Sequence, residues 1–353
     1  MNQRIIIIGQ GIAGSLLAYE LIKAGRKVMV VDNGYKTSAS KIAAGMWNPI
    51  LFKKLKKSWR ADDLLPALHR AYTELEELLD KKFMYDREIV RLFPSNDAAN
   101  DFHLAAGDER YSEYLEEKTQ PEVEAVANDE FGYGTIKGGY IEMPVFLPAF
   151  REYLESQDSF LEVEFNESDL EITDSGVIWN GYEAQKIIYA NGYKTTESKF
   201  WSYLPITRTH GNMLHVKAED LNLKGVFNNG QWLLNLEDGS YKMGATFEWD
   251  LPEPSPSEEG KQKLITKLES GLKEKPELEL IKHQAGIRPT SADHRPIMGF
   301  HAGHPEIGIF NGMGTKGIML APFFAKQLTS LITAQAPIED VVNVNRFRNK
   351  TKG

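Results

Sequence analysis

Ile5-Ile6-Ile7-Ile8-Gly9-Gln10-Gly11-Ile12-Ala13-Gly14 is the stretch whose reading decides the fold. Four consecutive isoleucines suit a strand buried on both faces, as in a parallel sheet, and the glycines that follow have the spacing G-x-G-x-x-G. Gly9 permits a tight turn, Gly11 lets a pyrophosphate approach the backbone, and Gly14 lets the next helix pack closely on the strand. Ser15 to Ala24 has helical apolar spacing and stops at Gly25, and Lys27 to Val31 is a second strand. The helix N-terminus then offers amides, those of Ile12 and Ala13 among them, to phosphate. Asp32 ends the second strand 18 residues after Gly14, with Asn33 beside it. A carboxylate there accepts both ribose hydroxyls and repels a 2′-phosphate. The unit reads as a βαβ dinucleotide site, and by itself it does not separate NAD from FAD.

Outward from this unit, bulk properties set limits. With 353 residues, 42% of them hydrophobic, the chain is long enough for two domains at roughly 150 residues each. It has no cysteine, which excludes disulfides, thiolate metal sites, a cysteine nucleophile and a cofactor tethered through sulfur, and suggests a reducing compartment. A net charge of −9 argues against a nucleic-acid partner, because phosphate neutralisation needs a dominant basic surface. Met1-Asn2-Gln3-Arg4 runs straight into the first strand and leaves no room for a signal peptide. Ile307 to Ile332 is apolar but interrupted by Lys316, Lys326 and glycines, so no membrane span is expected. The reading is a cytoplasmic protein. The run Lys53-Lys54-Leu55-Lys56-Lys57 reads as a solvated loop.

Further along, Ala61 to Leu79 and Met143 to Leu154 read as helices, Leu161 to Phe165 and Lys186 to Tyr189 as strands, and residues 83–140 show little periodicity. Trp232 to Leu236 and Tyr241 to Ala245 flank Glu237-Asp238-Gly239-Ser240, a hairpin signal. Helical spacing returns at Gly260 to Leu272. The last segment repeats the opening theme, with a strand Ile307 to Phe310, a glycine turn and a helix to about Ile332. The two glycine turns are expected to meet in space.

Five segments together resemble the D-amino-acid oxidase superfamily, and within it the glycine oxidase and sarcosine oxidase type. They are Gly9 to Gly14, the small-residue stretch Ser38-Ala39-Ser40-Lys41-Ile42-Ala43-Ala44-Gly45, Ala190-Asn191-Gly192, Gly286-Ile287-Arg288-Pro289 with Asp293 and Pro296 to Gly299 downstream, and Gly312-Met313-Gly314-Thr315-Lys316-Gly317. The resemblance spans nearly the whole chain and implies non-covalently bound FAD. It implies an α/β fold: a Rossmann-like FAD-binding domain from residues 1–80, 140–205 and 285–353, and an antiparallel-sheet-rich α+β substrate domain from 81–139 and 206–284. Ser40, Ala43, Ala44, Gly45 and Met46, then Ala190 and Gly192, would lie along the cofactor.

Reduced flavin carries negative charge at its pyrimidine edge and asks for backbone donors or a helix N-terminus there. Gly312, Met313, Gly314, Thr315, Lys316 and Gly317 precede the last helix and could supply them. Arg288 is the substrate candidate and is also placed beside the flavin, because a guanidinium fork holds a carboxylate by two parallel hydrogen bonds. The resemblance implies that role for it. A substrate-contacting tyrosine of the family aligns near Trp232, which donates one N–H and offers no phenol. That departure points away from glycine and towards a bulkier or N-substituted amine. The expected reaction is oxidation of a carbon–nitrogen bond by hydride transfer to flavin N5, which needs positioning and a neutral amine more than an acid–base dyad. Oxygen or another acceptor would reoxidise the flavin. Two alternatives stay open: a dehydrogenase serving a quinone or carrier protein, and a flavin module associated with tRNA modification. His210, His215, His283 and His294 lack metal-ligand spacing and read as packing or surface residues.

Overall fold

The computed structural model describes residues 4–34, 38–52, 55–249 and 255–348, so Met1 to Gln3 and Lys53 and Lys54 of the basic run lie outside the described residues. From the N-terminus, β1 (Ile5–Ile8), α1 (Ile12–Lys23) and β2 (Val28–Val31) form the opening unit. They are followed by α2 (Ala39–Ile42), β3 (Met46–Trp47), α3 (Ala61–Leu79), β4 (Met84–Leu92) and β5 (Tyr133–Ile141). Next come α4 (Met143–Ser156), β6 (Phe160–Leu161), β7 (Lys186–Tyr189), β8 (Ile206–Lys217), β9 (Val226–Asn228), β10 (Trp232–Asn235) and β11 (Tyr241–Gly244). The chain closes with α5 (Glu258–Glu269), β12 (Glu279–Ser291), β13 (Ile297–His301), β14 (His304–Asn311) and α6 (Gly317–Ala334).

The four isoleucines of β1 run parallel between β2 and β7, at the centre of a six-stranded sheet ordered β13-β14-β7-β1-β2-β6. Only β13 is antiparallel to its neighbour. One face of this sheet packs Ile5 and Ile7 against Leu16 and Leu17 of α1, Phe146 of α4 and Phe324 of α6. The other packs Ile6 and Ile8 against Val177 and Trp179 of a small three-stranded sheet. All four are buried, worth about 1.5–3 kcal/mol each as an upper estimate. The α/β character expected from the opening run is therefore what forms.

The second sheet has nine strands in the order β12-β8-β11-β10-β9-β4-β5-β3, with Leu115–Glu117 also on β5. It is antiparallel except where β9 meets β4. One face carries Leu214, Val216, Phe227, Leu233 and Met243 under Leu264 and Leu268 of α5. The opposite face puts Met213, Ile89, Ile136 and Tyr140 into the core shared with α1, α3 and α6. Met213 pairs with both Gln284 and Gly244, and Gly244 with Trp232. Alternation then places Arg288, four residues on from Gln284, on this same face with Trp232.

The structure departs from the sequence reading in places. Strand β6 ends at Leu161 instead of running to Phe165, and Val163, Glu164 and Phe165 line a cleft instead. The helix expected from Gly260 begins at Glu258, where Ser257 Oγ accepts the Gly260 N–H at 3.0 Å, and stops at Glu269. The long strands β4 and β5 occupy a region with no legible periodicity, and the boundary placed at residue 285 falls inside β12. Ile307 to Ile332 divides into β14 and α6. Among the described residues, α6 alone is long and apolar enough to cross a membrane, but here Leu320, Phe324 and Leu328 are buried and α6 packs on α1 and α3.

Candidate functional site

Gly9 turns the chain out of β1 with φ +101°, and a Cβ there would stand 2.8 Å from Ala190 O. Glycine is required on both counts. A Cβ on Gly14 would fall on Gly9 O, so α1 can start this close to the turn only with glycine at that position. Ser40 Oγ accepts the Ile12 N–H at 3.0 Å. That amide, expected to face phosphate, is therefore already used. Ala13 and Gly14, next in the first turn, have no intrahelical acceptor. Asp32 accepts the Gln10 N–H at 2.8 Å on Oδ2 and the Gly34 N–H at 2.8 Å on Oδ1. Two amides aim the carboxylate and leave lone pairs for hydroxyls. Arg151 of α4, which the sequence did not single out, reaches Asp32 Oδ1 at 3.3 Å and Gln10 Oε1 at 3.0 Å.

A cleft open to solvent runs from Asp32 and Asn33 past Gly9, Gly11, Ile12, Ala13 and Ser40 to Ala190, Gly192, Met313, Gly314 and Gly317. Asn311 Nδ2 donates to Gly192 O at 2.8 Å and to Thr195 Oγ1 at 2.6 Å, joining the Ala190–Gly192 turn to the C-terminal one. The two glycine turns do meet: a Cβ on Gly317 would lie 3.0 Å from Ile12 Cγ2.

The C-terminal turn offers fewer free donors than expected. Gly314 N–H donates to Pro289 O and Lys316 N–H to Met313 O, each at 3.0 Å, so these two amides pin the turn. Thr315 is exposed, and Gly312 is buried with φ +75°. Lys316 Nζ donates to Ser58 Oγ at 3.0 Å, and burial, reinforced by Arg295, holds its ammonium below the ordinary lysine range. Ala43 and Ala44 lead to Gly45, whose Cβ would fall on Ile141 O, and Met46 pairs with Tyr140 on β5. Gly14, Ala43, Ala44, Gly45, Met46, Gly312, Thr315, Lys316, Arg288 and Trp232 are not in the wall of the long cleft.

Arg288 lies over the backbone of Gly211, where a Cβ would collide with the guanidinium. Its Nη1 donates to His210 O and Thr246 O, both at 3.3 Å, and Phe247 stacks on it at 4.6 Å. No carboxylate pairs with it among the described residues, and burial holds its pKa below the ordinary value. The ring of Trp232 lies 2.8 Å from where a Gly244 Cβ would be, two residues from the Thr246 carbonyl that Arg288 touches. The structure thus brings guanidinium and indole to neighbouring stations of one sheet face.

Among the described residues, the histidine side chains make no hydrogen-bond or ring contact with Arg288 or Trp232. His283 Nε2 is 2.9 Å from Asn212 Oδ1, His215 Nε2 is 2.7 Å from Ser240 Oγ, His210 is buried and His294 is exposed in a turn. Among the described residues no group of three or more potential metal ligands occurs.

Known proteins share this architecture. A glycine oxidase from Pseudomonas aeruginosa is 23% identical over 363 residues, covering 96% of this chain and 97% of that protein. The bifunctional tRNA 5-methylaminomethyl-2-thiouridine biosynthesis protein MnmC of Shewanella amazonensis is 24% identical over 410 residues, but the match covers only 59% of it against 97% of this chain. The crystal structure of glycine oxidase from Geobacillus kaustophilus superposes with a TM-score of 0.79 at 20% identity, over 95% of this chain and 96% of that one. The family model for FAD-dependent oxidoreductases (DAO) matches residues 4–331, and the chain belongs to that family, as an FAD-dependent enzyme.

Proposed function

We propose that the protein oxidises a carbon–nitrogen bond in an amino acid or secondary amine bearing an acid group. The observation that carries this reading is Arg288, a partly buried guanidinium held by two carbonyls, stacked on Phe247 and without a carboxylate beside it among the described residues. Burying a charge is costly unless it is paired, and a guanidinium fork matches a carboxylate. The similarity to glycine oxidases supports the same chemistry.

Bound FAD supplies the two-electron acceptor. The cleft fits it: Gly9 and Gly14 clear the backbone, the Ala13 and Gly14 amides lack intrahelical acceptors, and Asp32 is aimed by two amides. Arg288 orients the substrate through its acid group. Trp232 shapes the pocket with an apolar ring and one N–H, which favours a substituent larger than that of glycine. No side chain is assigned to remove a proton, so the amine must enter neutral, and positioning supplies the rate enhancement.

Replacing Arg288 by alanine tests the reading. Losing a charge-assisted, bidentate contact of about 3–4 kcal/mol lowers kcat/KM about 100- to 1000-fold while FAD stays bound, read from the visible spectrum. Unchanged turnover removes Arg288 from the site. The electron acceptor is read separately, by comparing turnover in oxygen with anaerobic turnover on a dye.

A further inference from the structure

We propose that Arg91 is a second anion-binding residue of this site, and that the substrate carries a second acid group at the far end of its side chain or N-substituent. This rests on the carbon–nitrogen oxidation reading and names its substrate class. On β4, Arg91 is level with Asn228 of β9, and Asn228 is level with Trp232 of β10. Residues opposite one another across a ladder share a face, so Arg91 points to the same side of the sheet as Trp232, two strand spacings or about 10 Å away. Trp232 stands between the two arginines: Gly244 under its ring leads to the Thr246 carbonyl held by Arg288 on one side, and Asn228 leads to Arg91 on the other.

The surroundings of Arg91 are apolar. Its guanidinium lies 5.5 Å from the ring of Phe52, and Phe102 occupies the space over Gly134, its partner on β5. Arg91 Nη1 is enclosed, with no acceptor among the described residues. The turn joining β9 to β10 leaves Gln231 Nε2 unsatisfied as well. Arg91 and Arg288 share one property: burial depresses each guanidinium, with no neighbouring charge among the described residues to offset it. An enclosed guanidinium nitrogen without an acceptor is satisfied when an anion joins it. Both arginines face the substrate side of one sheet, and a molecule with acid groups at both ends satisfies both.

The test uses the FAD-loaded enzyme and a series of N-(carboxyalkyl)glycines of increasing spacer length, each paired with its terminal carboxamide, with anaerobic flavin reduction as readout. At the spacer that spans the two arginines the acid exceeds the amide in kcat/KM by about tenfold or more, through KM, equivalent to at least about 1.4 kcal/mol of differential binding. Arg91→Met collapses that ratio towards one, and Arg91→Lys restores part of it, which a packing role would not. A ratio near one at every spacer overturns the Arg91 site while leaving the oxidation reading intact. Equal losses on acid and amide in Arg91→Met overturn it too. Reduction of the flavin by neither series, nor by simple amino acids, sinks the oxidation reading itself.

Discussion

Gly14 and Gly25 separate two reasons for keeping a glycine. A Cβ on Gly14 lands on Gly9 O in the turn that faces the cofactor cleft, whereas a Cβ on Gly25 meets nothing and only its φ of +74° is at issue. Gly14→Ala is expected to cost about 1–3 kcal/mol by overpacking and to lower the FAD content of purified protein. Gly25→Ala costs about 1–2 kcal/mol through the left-handed backbone alone and keeps its FAD. Equal FAD content in the two variants, read from visible absorbance per protein, would remove Gly14 from the nucleotide turn. At this scale Gly9, Gly14 and Asp32 were legible, because the turn, the helix start and the acid lie within one local unit. Arg151 was not. It meets Asp32 from 119 positions along the chain, and nothing local marks it. The sequence did not single out Arg91, and only its neighbours across the sheet show that it has no counter-ion among the described residues.

Among elements, the hairpin β10–β11 formed where the sequence put it, with Gly239 at φ +79° and Leu236 N–H donating to Ser240 O at 2.8 Å. Strand β4 did not announce itself, because Asp86, Arg87 and Glu88 interrupt its apolar pattern and its pairing with all nine residues of β5 supplies the order that propensity lacks. Val163 and Phe165 alternate like strand residues, yet the chain leaves β2 after Leu161. Strands β8 and β12 bear on pH. His215 and His283 are both held below the ordinary histidine range, by burial first and then by Lys242 and Lys261 respectively. Both therefore stay neutral in the fold at pH values where the unfolded chain takes up protons. The unfolded state binds more protons, so stability falls as pH drops through about 6.5. The double variant His215→Gln, His283→Gln is expected to lose less Tm than the parent between about pH 7.5 and 5.5. Parallel losses would show that other groups govern the acid limb.

For the whole molecule, the cleft proposed to hold FAD has walls from β1, β2, the end of β7, the edge of β12 and the start of α6, so that binding there would be linked to folding. Free FAD at about 100 times its Kd adds about 2.7 kcal/mol, which for a chain of this size raises Tm by about 4 °C over the apoprotein. A Tm independent of FAD concentration would mean that the cleft does not hold it. The sequence by itself determined the opening βαβ unit, the two glycine turns and the hairpin, because each rests on glycine geometry or apolar periodicity over a few consecutive residues, whereas FAD in place of NAD followed only from the family resemblance carried by five segments together. Only the tertiary structure decided which amides remain free, that Arg151 braces Asp32, and that Arg288, Trp232 and Arg91 share one sheet face. Those facts depend on ladder register between strands far apart in the chain and on which charges are left without a partner, and neither quantity is carried by any single stretch of residues.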